Sequence, residues 1–152
     1  MSIVRCHKKT ISWNILGAYE AGVFSNTAST NKIRLYTGTM PSADDYDSNG
    51  QAFYDSEFVC EFSGFNPTHV FPSLAMNIGN PTTNSVSAAK SGTITWAAIT
   101  GTAGRGSMLA TVGDRSNTDV VIVEDLNAVQ GQDVRFVRAI IVLQPTQVQE
   151  AE

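Results

Sequence analysis

Asp45, Asp47 and Asn49 fall at alternate positions and are followed by Gly50, the spacing of the first half of a calcium loop, D-x-[DN]-x-[DN]-G. A hard divalent cation takes several oxygens from a short segment, and a glycine there lets the chain turn sharply around it. The closing carboxylate of the pattern is displaced: its position falls on Ser56, between Asp55 and Glu57. No flanking helices are expected. The same residues also describe an Asx-rich surface turn, which is the preferred reading, so neither a metal nor a cofactor is expected.

Other chemistries find less support. The two histidines, His7 and His69, are far apart and have no H-x₃-H spacing, whereas a metal centre built on histidine gathers several ligands. Serine lacks a G-x-S-x-G elbow: Ser63 in Phe62-Ser63-Gly64 has no first glycine. Gly101, Gly104 and Gly106 around Arg105 resemble a phosphate loop, but the spacing differs and a strand follows instead of a helix. Asp44, Asp45, Asp47 and Asp55 crowd one loop, a poor platform for the paired carboxylates of glycoside hydrolysis. No catalytic residues are assigned, and the chain is expected not to be an enzyme.

Aromatic side chains are the remaining candidates. Tyr46, Phe53, Tyr54, Phe65 and Phe71 lie in or near segments read as loops, where rings pack into a core or seat in a partner. Trp13, Tyr46, Tyr54, Phe71 and Arg105 are taken as the interface residues.

The elements that must position them are strands. Short apolar runs at Ile33–Tyr36, residues 53–62, residues 93–99, residues 108–112, residues 120–123 and residues 134–143 are separated by Gly, Pro and Asn, a punctuation typical of sandwiches and barrels. Alternation puts Phe58, Cys60 and Phe62 on one face, with Glu57, Val59 and Glu61 opposite; likewise Ile94 and Trp96 stand against Thr93 and Thr95. Residues 134–143 begin alternating and end continuously apolar, which suits a central strand buried on both faces. Residues 42–50 read as a long polar loop, and residues 124–128 as one helical turn at most. The expected fold is all-β: a single β-sandwich or jelly-roll-like domain over residues 31–145. An extended N-terminal arm (1–30), in which Ile11, Trp13 and Ile15 alternate as one edge strand would, precedes it. A loose C-terminal tail (146–152) follows.

Composition narrows the partners. Of 152 residues 42% are hydrophobic and only 16% charged, so much of the surface is polar without being ionic. The net charge of -4 disfavours phosphate binding by the folded domain, and the one basic cluster is Arg5, His7, Lys8 and Lys9. No apolar run is long enough to span a membrane, and the first residues do not read as a signal peptide. Cys6 and Cys60 are expected as free thiols in preference to a single bridge, in a protein made in a cytoplasm.

Three segments carry a resemblance to a known group. Lys32-Ile33-Arg34-Leu35-Tyr36-Thr37-Gly38-Thr39-Met40-Pro41 followed by Ser42-Ala43-Asp44 resembles an opening motif of small bacteriophage virion structural proteins. Ser91-Gly92-Thr93-Ile94-Thr95-Trp96 resembles their central strand. Gly113-Asp114, then Val120 to Val123, then Val129-Gln130-Gly131-Gln132-Asp133-Val134 resembles their closing hairpin. The likeness covers roughly residues 32–143 and departs from the compact pattern over residues 51–89. It implies a non-enzymatic capsid decoration or cement subunit on the virion surface, made in the bacterial host cytoplasm. Its implied partners are the major capsid protein and further copies of itself, a trimer being favoured. The alternative is a carbohydrate- or receptor-binding module of a tail or baseplate, using the loop aromatics.

Overall fold

The computed structural model describes residues 4–6, 31–69, 75–101, 108–117, 119–142 and 148–150. The expectation of an all-β fold holds. In chain order the elements are β1 (Val4–Cys6), β2 (Lys32–Tyr36), α1 (Ala43–Asn49), a 3-10 helix (Gln51–Glu57), β3 (Phe58–Ser63), β4 (Thr68–His69), β5 (Ala75–Asn77), β6 (Ser85–Ser87), β7 (Gly92–Thr93), β8 (Trp96–Thr100), β9 (Met108–Gly113), β10 (Val121–Val123), β11 (Asn127–Ala128), β12 (Asp133–Val142) and β13 (Val148–Glu150).

Eleven strands form one mixed sheet in the order β3-β2-β8-β9-β10-β12-β5-β4, with β6 on β12 and β1 between β9 and β13; β7 and β11 make a separate ribbon. Most pairs are antiparallel, whereas β9–β10 and β1–β13 run parallel. The sheet rolls up until its ends nearly meet. β6 pairs with β12, and the residues flanking β6 reach β3, where Ala89 N–H donates to the Val59 carbonyl at 2.7 Å and Thr82 N–H to that of Ser63 at 2.9 Å. The result is a barrel-like shell in which these bonds cover the β3 edge.

Its interior is filled by Ile33, Leu35, Cys60, Phe62, Phe65, Ile99, Met108, Val121, Phe136 and Ile141, together with smaller side chains. Burial of this apolar surface, at about 25 cal/mol per Å², is the main force holding the shell shut. Cys60 is a free, buried thiol, as expected of an unbridged cysteine.

Two bulges and one strand break correct three of the expected faces. Leu35 pairs with Cys60 but Tyr36 pairs with Phe58, leaving Val59 as the extra residue. Phe58 therefore turns to the outer face with Tyr36, while Val59 joins the interior beside Cys60. In the same way Ile122 faces Arg138 and Val123 faces Phe136, so Val137 is extra. β12 is thus two alternating halves in different phase, Val134 and Phe136, then Ala139 and Ile141, and not a strand buried on both faces. That description belongs to β8, where Trp96, Ala97, Ala98 and Ile99 are all buried. Finally, Ile94 and Trp96 lie on opposite faces because the chain breaks between β7 and β8 at Ile94 and Thr95.

Other segments also depart from expectation. Residues 42–50 are not a loop: Ser42 caps α1, its Oγ accepting from Asp45 N–H at 3.1 Å. Residues 124–128 hold no helical turn: residues 124–126 form a bend that leads into the β11 ribbon strand, Asn127–Ala128. Of the expected arm, Val4–Cys6 is built into the sheet, and of the expected tail, Val148–Glu150 lies beside it. The expected edge strand around Ile11, Trp13 and Ile15 lies outside the described residues.

Candidate functional site

The outer face of β2, β8 and β9 is covered by α1 and the 3-10 helix, which follow each other through a bend at Gly50. Gly50 has φ 81°, a conformation that suits glycine, and its N–H closes α1 on the Tyr46 carbonyl. Between helix and sheet lies a second buried cluster of Tyr36, Ala43, Tyr46, Tyr54, Trp96, Ala98 and Leu109, flanked by Met40 and Phe58. Alanines at 43 and 98 leave room for the four large rings.

The rings form two stacked pairs set edge to face. Tyr36 stacks on Trp96 with centroids 4.2 Å apart, and Tyr46 on Tyr54 at 5.2 Å. Tyr46 and Tyr54 then meet Trp96 at 5.9 and 5.8 Å, with the planes nearly perpendicular. Both arrangements suit the ring quadrupole, and each pair adds about 0.5–1.5 kcal/mol beyond its buried area.

Every polar tip in this cluster is engaged. The hydroxyls of Tyr36 and Tyr46 share a hydrogen bond of 2.7 Å, and Arg34 Nε donates to the Tyr36 oxygen at 3.0 Å. Trp96 Nε1 donates to the Thr37 carbonyl at 2.9 Å, and Asn49 Nδ2 to the Tyr54 hydroxyl at 3.1 Å. Arg34 also pairs with Glu61 at 2.9 Å and Asp55 at 3.5 Å, and its guanidinium lies 4.2 Å from the Phe58 ring centroid. Burial, reinforced by the bond to Tyr36, pushes the Tyr46 hydroxyl well above the usual tyrosine range.

The expected site residues now have positions. Tyr46 and Tyr54, taken as interface residues, are buried within the chain, at 2% and 8% exposure, so their rings brace the helices and are not surface. Phe65 is likewise interior. Trp13, Phe71 and Arg105 lie outside the described residues, as does His7. Asp45, Asp47 and Asn49 stand on α1. On a helix Asp47 is turned about 200° from Asp45, so the three oxygens do not converge as they would in a loop. Asn49 donates from Nδ2 to the Tyr54 hydroxyl, which directs its amide towards the 3-10 helix. Among the described residues no three His, Cys, Asp or Glu side chains gather as metal ligands.

Among the described members of the aromatic group, Phe53 is the one that reaches the surface, 66% exposed beside buried Tyr54. The contributions of Arg34, Tyr36 and Trp96 were hidden in strands. The signal for Tyr36 and Trp96 was their bulk on elements whose other face already met the core.

Elsewhere a shallow cavity of about 240 Å³ is lined by Glu124, Asp125, Gln132, Asp133 and Arg135, among others. Its carboxylates are occupied: Glu124 by Arg115 at 2.8 Å, Asp125 by the Asn127 N–H, and Asp133 by the Ser85 hydroxyl.

No protein-family model matches the chain, and neither a curated protein nor a solved structure does.

Proposed function

We propose that this chain is a non-enzymatic structural subunit of a bacteriophage virion, acting as a capsid decoration or cement protein that bridges and stabilises the major capsid protein. One observation carries this reading: the three segments behind the resemblance meet in space. Thr95 N–H donates to the Tyr36 carbonyl, Thr95 Oγ1 to that of Gly38, and Trp96 Nε1 to that of Thr37, joining the first segment to the second. Gln130 N–H donates to Ser91 Oγ, joining the second to the third, and the two residues just before that part of the third, Asn127 and Ala128, pair with Thr93 and Gly92. Motif residues scattered over the chain thus have one common structural task, which is what a shared fold requires of them.

The physical logic of such a role is additive. A packed, barrel-like subunit transmits load without yielding, and a modest contact repeated over a lattice resists internal pressure without any single strong bond. The low fraction of charged residues leaves neutral surface for those contacts. The glycan-binding alternative would use exposed loop rings, and with Tyr46 and Tyr54 buried it has less to work with.

Virions assembled without this chain are expected to lose their genome at lower temperature or lower salt than complete ones, and added protein restores them. Particles equally robust with and without it would overturn the proposal.

A further inference from the structure

Among the described residues the exposed large hydrophobic side chains are Phe53, at 66%, and Val129, at 48%. Phe53 stands apart because of how it is held. The 3-10 helix that carries it is pinned on both sides: Asn49 Nδ2 reaches the Tyr54 hydroxyl, Asp55 meets Arg34, Lys90 Nζ donates to the Ser56 carbonyl at 2.8 Å, and Thr37 N–H to that of Glu57 at 2.9 Å. Its ring leans edge-on against Tyr54 at 5.0 Å, which orients it without hiding it. Buried Tyr46 and Tyr54 form the base of this knob, with Phe53 at its tip.

The surroundings are net negative, with six carboxylates against Lys32, Arg34 and Lys90. Between Arg34 and Lys90 the sequence contains no Lys or Arg, while Asp44, Asp45, Asp47, Asp55, Glu57 and Glu61 all fall in this stretch. The bordering cations are engaged within the chain, Arg34 on Glu61 and Asp55, Lys32 on Glu61 and Lys90 on the Ser56 carbonyl, which leaves Asp44, Asp45, Asp47 and Glu57 as the net negative excess. An aromatic ring fixed in advance loses little side-chain freedom on docking, and such rings anchor protein interfaces. A negative rim selects a positive one and repels the phosphates of nucleic acid and of anionic membranes.

We infer that Phe53 is the anchor by which this chain seats on the shell it decorates, entering an apolar pocket rimmed by Lys and Arg on the capsid protein. This rests on the virion reading above. Shells assembled without the chain are the probe, with purified wild-type protein added back and binding followed by sedimentation. Wild type binds, and binding weakens as salt rises from roughly 50 to 500 mM. Phe53→Ala loses about tenfold or more in affinity while keeping its circular dichroism and melting temperature. Phe53→Leu retains part of the binding, and Asp45→Asn with Asp47→Asn blunts the salt dependence. A wild type that does not bind overturns the virion reading and this inference with it. Binding of Phe53→Ala equal to wild type overturns the anchor alone. So does a Phe53→Ala effect confined to self-association, which would make a second copy the occupant.

Discussion

The phenolic oxygens of Tyr36 and Tyr46 lie 2.7 Å apart, one on the sheet and the other on the helix that covers it. With Arg34 donating to Tyr36 from below, this bond sets how far α1 stands from β2 and in which rotation. Tyr46→Phe keeps the ring contacts to Tyr36, Tyr54 and Trp96 and removes one oxygen, leaving the Tyr36 hydroxyl one partner short. It is expected to cost about 1–2 kcal/mol. Tyr46→Ala also empties the stack against Tyr54 and is expected to cost about 3–5 kcal/mol. Urea unfolding of both variants checks the order, with Phe53→Ala as the surface control, expected within about 0.5 kcal/mol of wild type.

Alkaline pH should loosen the fold in a defined window. Burial pushes the Cys60 thiol from 9.0 up to about 12, and the Tyr46 hydroxyl is raised as well. Above about pH 9 the unfolded chain releases the thiol proton while the folded chain keeps it, so stability falls as pH rises towards 12. Tyr46 adds a second decline above pH 10. Each group contributes a slope of about 1.4 kcal/mol per pH unit in its window. Denaturation midpoints measured between pH 8 and pH 11 in Cys60→Ala should lack the first part of the fall and retain the Tyr46 part.

Two glycines with nearly the same backbone angle should respond differently to a methyl group. Gly50 has φ 81° and ψ 164°, a region open essentially to glycine, but nothing near its would-be Cβ, so Gly50→Ala should cost about 1–3 kcal/mol from backbone strain alone. Gly64 has φ 84°, and its Cβ would collide with the Thr82 side chain, next to the Thr82 N–H that helps close the barrel. Gly64→Ala is expected to cost about 2–4 kcal/mol, read as a lower melting temperature.

Arg34 holds three things at once: Glu61, Asp55 and the Tyr36 oxygen, with the Phe58 ring beneath its plane. Lysine keeps the charge but has neither the fork nor the flat surface. Arg34→Lys is expected to lose about 1–2 kcal/mol. It should also raise hydrogen exchange at the amides of residues 51–57, because their link to the sheet is weakened.

Strand existence was legible in the sequence because apolar alternation survives wherever one face is buried. Ile33 and Leu35, alternating with Lys32 and Arg34, show it plainly. Phase was not. A single extra residue, Val59 or Val137, flips everything beyond it, and nothing in composition distinguishes a bulged valine from a paired one. In β12 a hint was present, since Arg135 and Arg138 are three apart where strict alternation would make them two or four. Helix α1 was missed because only Ala43 and Tyr46 face inward, too few for a periodic signal, although Ser42 three residues before Asp45 is a recognisable cap. The aromatic cluster was half read. Its loop tyrosines stood out, but their burial depended on Tyr36 and Trp96, brought alongside only by the pairing of β2 with β8.

The strand Val4–Cys6 finds its neighbours late in the chain: Val4 lies across from Ala110 on one side and Val148 on the other. Contacts so distant in sequence are slow to find and form after local pairings. Refolding should therefore proceed in two phases, with protection of the β8–β9 hairpin appearing before that of Val4–Cys6. Until the second phase ends, the Met108–Ala110 edge of β9 remains an open template for the wrong strand.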